Sequence, residues 1–241
     1  SWSLGGLHKK QVYTQLSGRV SPFGIVDHFE SREFGKIVRF NANTRISYFL
    51  STDYSKRLAM DGGVNFTQFF NTMQNEYGVW LSPRLIVSDK MNLILRSNVD
   101  VNNNGYGYVS SQDPNFQEEI VLGVRDRVNV ENSIGAEFIF TKRMGVELDL
   151  RHYWAQVSYD NFLALEDNGV TRPIDYQALS SSEESVHNTN FNAFTIDANY
   201  RWVFYPGCEL RVVYKNNIFS SKSVLEESYF ETFNTLFDQP Q

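Results

Sequence analysis

The residue whose type and neighbours most suggest catalysis is His152, which lies beside Tyr153 and Trp154. An imidazole can act as a general base when a hydroxyl lies within hydrogen-bond reach and a third group orients the ring. Asn132 and Asn190 fall at matching positions of neighbouring segments, but no serine is evident beside them. His152 is therefore a candidate catalytic residue of a hydrolase, or else a histidine in an aromatic belt at a membrane interface.

Two further sets of polar residues admit both a chemical and a structural interpretation. Glu147 and Asp149 are spaced two apart, and such paired carboxylates serve in acid–base catalysis. The same spacing also produces charge ladders between strands, which is the simpler explanation. The segment Asn102–Tyr108, rich in Asn, Gly and Tyr, could stack a sugar or could be a loop tip.

The acidic segment 159–189 could supply oxygen ligands to Ca²⁺, but its spacing matches no EF-hand loop. We therefore expect a solvated loop there, with no metal and no cofactor. Its charged and imidazole residues are Asp160, Glu166, Asp167, Asp175, Glu183, Glu184 and His187.

These residues lie in segments where polar and apolar residues alternate strictly. From Ile120 to Phe140, nine of eleven even positions are apolar, against two of ten odd positions. A period of two indicates a strand with one apolar and one polar face. A run of this length exceeds ordinary soluble strands and is ample for a transmembrane strand, which needs roughly 9–11 residues.

The alternation predicts nine strands joined by connections that differ in length at the two ends. The strands are Lys10–Val20, Ile37–Ser51, Arg57–Phe70, Tyr77–Val87, Met91–Val101, 119–140, Met144–Ser158, Asn190–Phe204 and Cys208–Phe219. The connections 52–56, 88–90, 141–143 and 205–207 are short, whereas 21–36, 102–118 and 159–189 are long and 71–76 is intermediate. Because outer-membrane barrels combine short periplasmic turns with long extracellular loops, we predict an all-β, antiparallel transmembrane β-barrel as a single region over 1–241.

Charged residues of both signs fall on the polar face of the predicted strands. In a barrel they would face the lumen, whereas in a soluble protein they would form a solvated sheet face, which is the alternative. The predicted lumen-facing residues are Arg84, Arg96, Asp100, Glu137, Glu147, Asp149, Arg151, Asp197, Arg201 and Arg211.

The composition of the 241 residues limits the function classes. Mean hydropathy is −0.38 and no run of 18 apolar residues exists, so the sequence predicts no transmembrane helix. Aromatic residues make up 15% of the chain, which suits the interfacial girdles of a barrel. A net charge of −6 argues against a nucleic-acid partner, and the single cysteine excludes an intrachain disulfide.

Nine strands is an odd number, whereas barrels of this class normally have an even number. We therefore expect the chain to be the carboxy-terminal portion of a longer barrel, with the first and last parts of the full chain absent. An export signal is expected to have been removed.

Several segments resemble an uncharacterised outer-membrane β-barrel family of the Bacteroidota. They are Glu147–Trp154, Asn192–Asp197 with Tyr200–Trp202, Tyr205–Leu210 with Tyr214–Asn216, and Leu50–Tyr54 with Arg57-Leu58. The resemblance covers about Ser51 to Phe237 and implies a further strand after Gln241. It also implies an amino-terminal domain similar to family-nine carbohydrate-binding modules in full-length members. No catalytic residues are established for that family, so the resemblance assigns none here.

These observations lead to three functional hypotheses. The first is a channel or transport barrel for small solutes or saccharides in the bacterial outer membrane. The second is a non-conducting structural or interaction barrel, a subunit of a larger complex of envelope proteins. The third is a membrane-embedded hydrolase that uses His152, although the sequence favours a protein that is not an enzyme. The expected partners are outer-membrane lipid, other envelope proteins and saccharide.

Overall fold

The protein is an all-β protein whose strands pair almost entirely in one antiparallel sheet. The computed structural model describes residues 1–110, 114–116, 119–176, 185–222 and 229–236, with the backbone alone for 234–236. The strands are β1 Trp2–Leu7, β2 Tyr13–Ser21, β3 Ile25–Asp27, β4 Val38–Phe40, β5 Asn43–Ser51, β6 Leu58–Phe69, β7 Asn75–Ser88, β8 Met91–Val109, β9 Val121–Thr141, β10 Met144–Leu165, β11 Thr171–Pro173, β12 Thr189–Tyr205 and β13 Cys208–Lys222. One helix, α1, spans Tyr229–Leu236, and short 3₁₀ turns occur at Lys9–Gln11 and Pro114–Phe116.

Ten strands follow one another in a single path through the main sheet. The order is β1-β2-β5-β6-β7-β8-β9-β10-β12-β13, and β11 pairs with the end of β10. Strands β3 and β4 form a separate hairpin within the connection from β2 to β5. Among the described residues β1 and β13 do not pair with each other, so the sheet is open and forms no closed barrel.

Two of the longest strands extend beyond the ends that the sequence predicts. Strand β8 continues to Val109 and β10 to Leu165, where the sequence predicts strands ending at Val101 and Ser158. Register shifts lie between Asn102 and Gly105 and between Tyr159 and Asn161. A bulge inserts one residue into a strand and so reverses the alternation of polar and apolar positions. Each predicted strand therefore ends near the bulge, although pairing with the neighbouring strand continues beyond it.

The sequence predicts nine of the ten strands along the path of the main sheet and misses β1. It also misses the short strands β3 and β11 and the helix, and it does not separate β4 from β5. Strand β1, WSLGGL, is short and contains two glycines, so its alternation is weak. The predicted first strand, Lys10–Val20, is β2 at Tyr13–Ser21. In the predicted polar tail after Phe219, β13 continues to Lys222 and α1 follows.

The two faces of the main sheet differ sharply in polarity. One row of directly opposed residues crosses eight strands as Leu4, Leu16, Tyr48, Val64, Val79, Val99, Val130 and Trp154. This apolar face is largely uncovered, and Val64, Val79 and Val212 are 48%, 51% and 53% exposed. The compact core is small: Val109, Val121, Phe162 and Tyr176 cluster where β8, β9 and β10 extend beyond their bulges.

The α1 helix, the single helix of the described chain apart from the 3₁₀ turns, is too short to cross a membrane.

Candidate functional sites

The first candidate site is a pocket under the connection from β2 to β5, residues 22–42, which we call the crossing loop. Its floor is one row of the polar face, in which directly opposed residues run Arg19, Arg45, Thr67, Glu76, Asn102 and Arg127. Five strand spacings would spread this row over roughly 24 Å in a flat sheet. The six residues instead line one cavity of about 320 Å³. Because all six line one cavity, and because Phe40 just before β5 stacks on Tyr106 of β8, we infer that the sheet curves with its polar face on the inner side.

The crossing loop reaches from β2 to the turn between β10 and β11. The Arg39 amide donates to the Gly169 carbonyl at 2.9 Å, and Arg39 Nε donates to the Asn168 carbonyl at 2.9 Å. Lys36 forms an ion pair with Asp167, which raises the pKa of Lys36 and lowers that of Asp167. These contacts join residues about 130 positions apart and hold the loop over the polar face.

A second anchor of the crossing loop lies on β8 and β9. Glu30 Oε1 accepts a hydrogen bond from the Tyr108 amide at 2.9 Å and lies 3.7 Å from Arg125 Nη2. Arg125 Nη1 donates to the Tyr159 hydroxyl at 3.1 Å. A Cβ on Gly107 would lie 2.0 Å from Arg125 Cζ, so this glycine leaves room for the guanidinium.

Segment Asn102–Tyr108 is thus part of strand β8, and its interpretation as a loop tip is wrong. Tyr106 lines the pocket and stacks on Phe40 of the crossing loop, with ring centroids 5.9 Å apart.

The arginines of the pocket were not among the candidate site residues. The placement of these arginines depends on the register between β2 and β5, which a 21-residue connection joins. No local sequence pattern predicts that register.

The second candidate site surrounds His152, which is 4% exposed. Its Nε2 lies 2.7 Å from Asn192 Oδ1, and its Nδ1 lies 3.1 Å from the Tyr229 hydroxyl of α1. Asn132 Nδ2 donates to the same hydroxyl at 2.9 Å, and Asn192 Nδ2 donates to the Thr232 carbonyl at 2.7 Å. All these contacts are satisfied when the ring is neutral, donates from Nε2 and accepts the Tyr229 proton at Nδ1.

The His152 network has no nucleophile of the expected kind. Both ring nitrogens are engaged, and no serine among the described residues contacts the ring. Ser97 lies on the same row beyond Asn132, two strand spacings or roughly 10 Å from His152. Asn190 is buried and stands opposite Gln156, four residues along β10 from His152. The geometry supports a network that fastens α1 to the sheet.

The predicted lumen-facing charges form a ladder of contacts along β9, β10, β12 and β13. Arg151 pairs with Glu131 at 3.6 Å, and Lys215 pairs with Asp197 at 3.3 Å. Both Arg201 and Arg211 pair with Glu209, at 3.8 and 2.8 Å.

Like charges also stand directly opposite each other in this ladder. Glu137 faces Glu147, and Asp149 faces Asp197, which costs stability unless a cation intervenes. Glu147 accepts a hydrogen bond from Asn199. The arrangement agrees with a structural ladder for Glu147 and Asp149.

The other three predicted lumen-facing residues lie on β7 and β8. Arg84 lies over the Tyr54 ring at 5.0 Å, Asp100 accepts from Asn98, and Arg96 lines a separate pocket with Glu131. That the ten charges face a lumen stays a prediction.

The long connection after β10 contributes an aromatic cluster. His187 Nε2 lies 3.0 Å from the Tyr176 hydroxyl, and its ring contacts Tyr159 and Phe162. Burial lowers the pKa of His187 from its ordinary value. Within the described chain no cluster of three or more metal-ligating side chains was found, and Glu183 and Glu184 lie outside the described residues.

The fold and these sites define a class: an antiparallel β-sheet protein, curved around a polar face that carries an arginine-rich pocket. The chain belongs to the family defined by a domain of unknown function, DUF5916, whose model matches residues 2–241. No curated protein matches the sequence.

Proposed function

We propose that this domain is the wall of an integral outer-membrane β-barrel that conducts small solutes, with saccharides as one candidate class. The observation that carries the proposal is that the outer face of the sheet is apolar, whereas the face on the inner side of its curvature is polar. Most of the apolar row is exposed, from Leu4 to Val79, although Trp154 at its other end is buried against Tyr229 of α1. The charged and arginine-rich face lies on the inner side of the curvature. A soluble sheet buries its apolar face, while a transmembrane barrel exposes that face to lipid and keeps polar residues in the lumen.

The strand lengths and the topology support the same proposal. Strands β7 to β10, β12 and β13 have 14 to 22 residues, enough to cross a bilayer even when tilted. Consecutive antiparallel order is the up-and-down topology of such barrels. Backbone groups cannot remain unpaired in lipid, so in a closed barrel the edge strands β1 and β13 must pair, either with each other or through further strands. The wider family that we infer, a Bacteroidota family with a companion domain similar to carbohydrate-binding modules, would place the barrel in the bacterial outer membrane.

Single-channel recording of the full-length protein in a planar bilayer tests the channel. We expect stable stepwise openings whose ion selectivity changes when Arg96 or Arg201 is neutralised. A protein that inserts and folds but never conducts would contradict the channel.

The second candidate function is a non-conducting interaction barrel within a complex of envelope proteins. The crossing loop favours it, because the loop lies over the polar face and is held at two points, by Glu30 on Tyr108 and by Arg39 on Asn168. Stoichiometric co-purification with other envelope proteins from mild detergent would support this function. A monodisperse, conducting monomer would exclude it. Both candidates need a barrel in outer-membrane lipid, whereas the geometry around His152 gives no support to a hydrolase.

A further inference from the structure

Four arginines and three carboxylates line the pocket under the crossing loop, so the lining carries one net positive charge, and three of the arginines form no ion pair with a described carboxylate. Arg19 and Arg45 stand directly opposite each other on β2 and β5, an arrangement that costs stability through repulsion. Arg127 lies at the other end of the same row. No described carboxylate lies within ion-pair distance of any of the three. This cluster occurs in a chain whose net charge is −6.

The acidic residues of the pocket already have other partners. Asp27 Oδ1 accepts hydrogen bonds from the Phe29 and Glu30 amides. Glu30 holds Tyr108 and Arg125, and Glu76 accepts from Asn102 Nδ2 at 2.8 Å. Arg125 is thus the arginine of the described pocket lining that meets a carboxylate. Arg45 Nη2 donates to the neutral Asn65 Oδ1 at 3.1 Å, which leaves the other N–H groups of Arg45, and the guanidiniums of Arg19 and Arg127, for an anion.

The pocket also offers an apolar wall and a limited volume. Phe40 and Tyr106 form a stacked pair at its edge, and Ile25 of the crossing loop lines it too. Its volume of about 320 Å³ lies at the small end of the range for ligand sites. Guanidiniums recognise carboxylates and phosphates through two parallel hydrogen bonds.

We propose that this pocket binds a small organic anion, about the size of a monosaccharide. Arg19 and Arg45 hold its carboxylate or phosphate, Arg127 faces it from the other end of the row, and the Phe40–Tyr106 pair contacts its apolar surface. The anion relieves the repulsion between Arg19 and Arg45. The inference deepens the proposed function, because the pocket lies on the face proposed to line the barrel, but binding is measurable without conduction.

Calorimetric titration of the full-length protein in detergent tests the site, with glucuronate, glucose 6-phosphate, glucose and inorganic phosphate as probes. We expect glucuronate or glucose 6-phosphate to bind and glucose to bind at least about tenfold more weakly, because charge-assisted hydrogen bonds supply most of the affinity. Added NaCl should weaken binding of the anion.

Substitutions separate the pocket from the rest of the charged face. The double variant R19Q/R45Q should weaken binding about tenfold or more. The variant R96Q, which removes one charge of the same face outside this pocket, should leave binding unchanged. F40A should weaken binding of glucuronate but not of inorganic phosphate.

Several outcomes would overturn the inference. They are glucose binding as tightly as glucuronate, no binding of any probe, or equal losses in R96Q and R19Q/R45Q. If F40A changes nothing, the aromatic wall is not part of the site and the proposed organic anion is wrong. If the protein binds the anion but does not conduct, the anion site stands and the channel function is wrong. If the protein conducts but binds no anion, the channel function stands and the anion site is wrong.

Discussion

At the scale of single residues, the most informative side chain is His152, whose role is defined by its partners. The sequence marks it as a candidate base, yet both of its nitrogens contact Asn192 and the Tyr229 hydroxyl. A buried polar group that loses its partner costs about 1–3 kcal/mol. The ring therefore acts as a connector between α1 and the sheet.

The first prediction concerns the removal of that connector. H152A should destabilise the folded protein by about 2–3 kcal/mol, because it leaves Asn192 Oδ1 and the Tyr229 hydroxyl without their partner. Amide exchange in 229–236 should accelerate at the same time. H28A, at an exposed histidine of the crossing loop, is the control and should change neither quantity. Unchanged exchange in α1 would contradict the proposed connection.

His187 provides a prediction of pH dependence. Burial lowers its folded-state pKa below the ordinary value of 6.5, so the folded state favours the neutral ring. The stability it contributes is complete above pH 6.5 and is lost as the pH falls from there through the lowered folded-state pKa. Amide exchange at residues 172–176 and 185–189 should therefore increase on acidification. H187F should remove most of this dependence, and an equal dependence in the variant would contradict the assignment.

At the scale of elements, the crossing loop and the two bulges decide where functional residues lie. The bulges in β8 and β10 allow these strands to continue beyond the point where the alternation changes. Their extensions carry Tyr106, Tyr108 and Tyr159, which contact the crossing loop or Arg125. The pocket exists because a loop from one part of the chain meets strand extensions from another.

The third prediction tests the contact between the crossing loop and the turn after β10. Gly169 has a φ of +83°, and a Cβ there would lie 2.8 Å from Ile37 Cγ1 and 3.0 Å from the Ile37 carbonyl. G169A should therefore displace the loop and accelerate amide exchange at residues 37–40. The control is G207A, because Gly207 has a φ of +82° and no atom within 4 Å. Alanine at a positive φ costs roughly 1–2 kcal/mol in both variants. Any further loss of stability in G169A therefore measures the contact between the crossing loop and the turn after β10.

At the scale of the whole molecule, the polarity of the two faces is reversed relative to a soluble sheet. Leu4, Val64 and Val79 stand exposed in one row, while charged and amide side chains occupy the inner face. In water such an apolar surface would promote association, whereas in a bilayer it is the surface that lipid requires.

The fourth prediction compares adjacent residues on opposite faces of β8. In a protein folded in phospholipid vesicles, V99R should cost about 2–4 kcal/mol, because it places a charge in hydrocarbon. N98R, on the polar face beside Asp100, should cost less than about 1 kcal/mol. Urea titration of refolding in vesicles measures both. Equal, small losses would mean that the apolar face does not contact lipid.

The sequence by itself determined the class of structure, because a period of two is a local property of successive side chains. It predicted the antiparallel strands, the short turns and the polarity of each face from residues such as those of 120–140. It also determined membership in the family, through the match over residues 2–241. It could not follow the strands through their bulges, where the period reverses.

Only the tertiary structure decided where α1 lies, how the crossing loop runs and which residues surround the pocket. These features depend on contacts such as Arg39 with Asn168 and His152 with Tyr229, between residues 77 to 129 positions apart. Such contacts follow from the register of the strands and the curvature of the sheet. Both are collective properties of many strands, and no local pattern of residues encodes them.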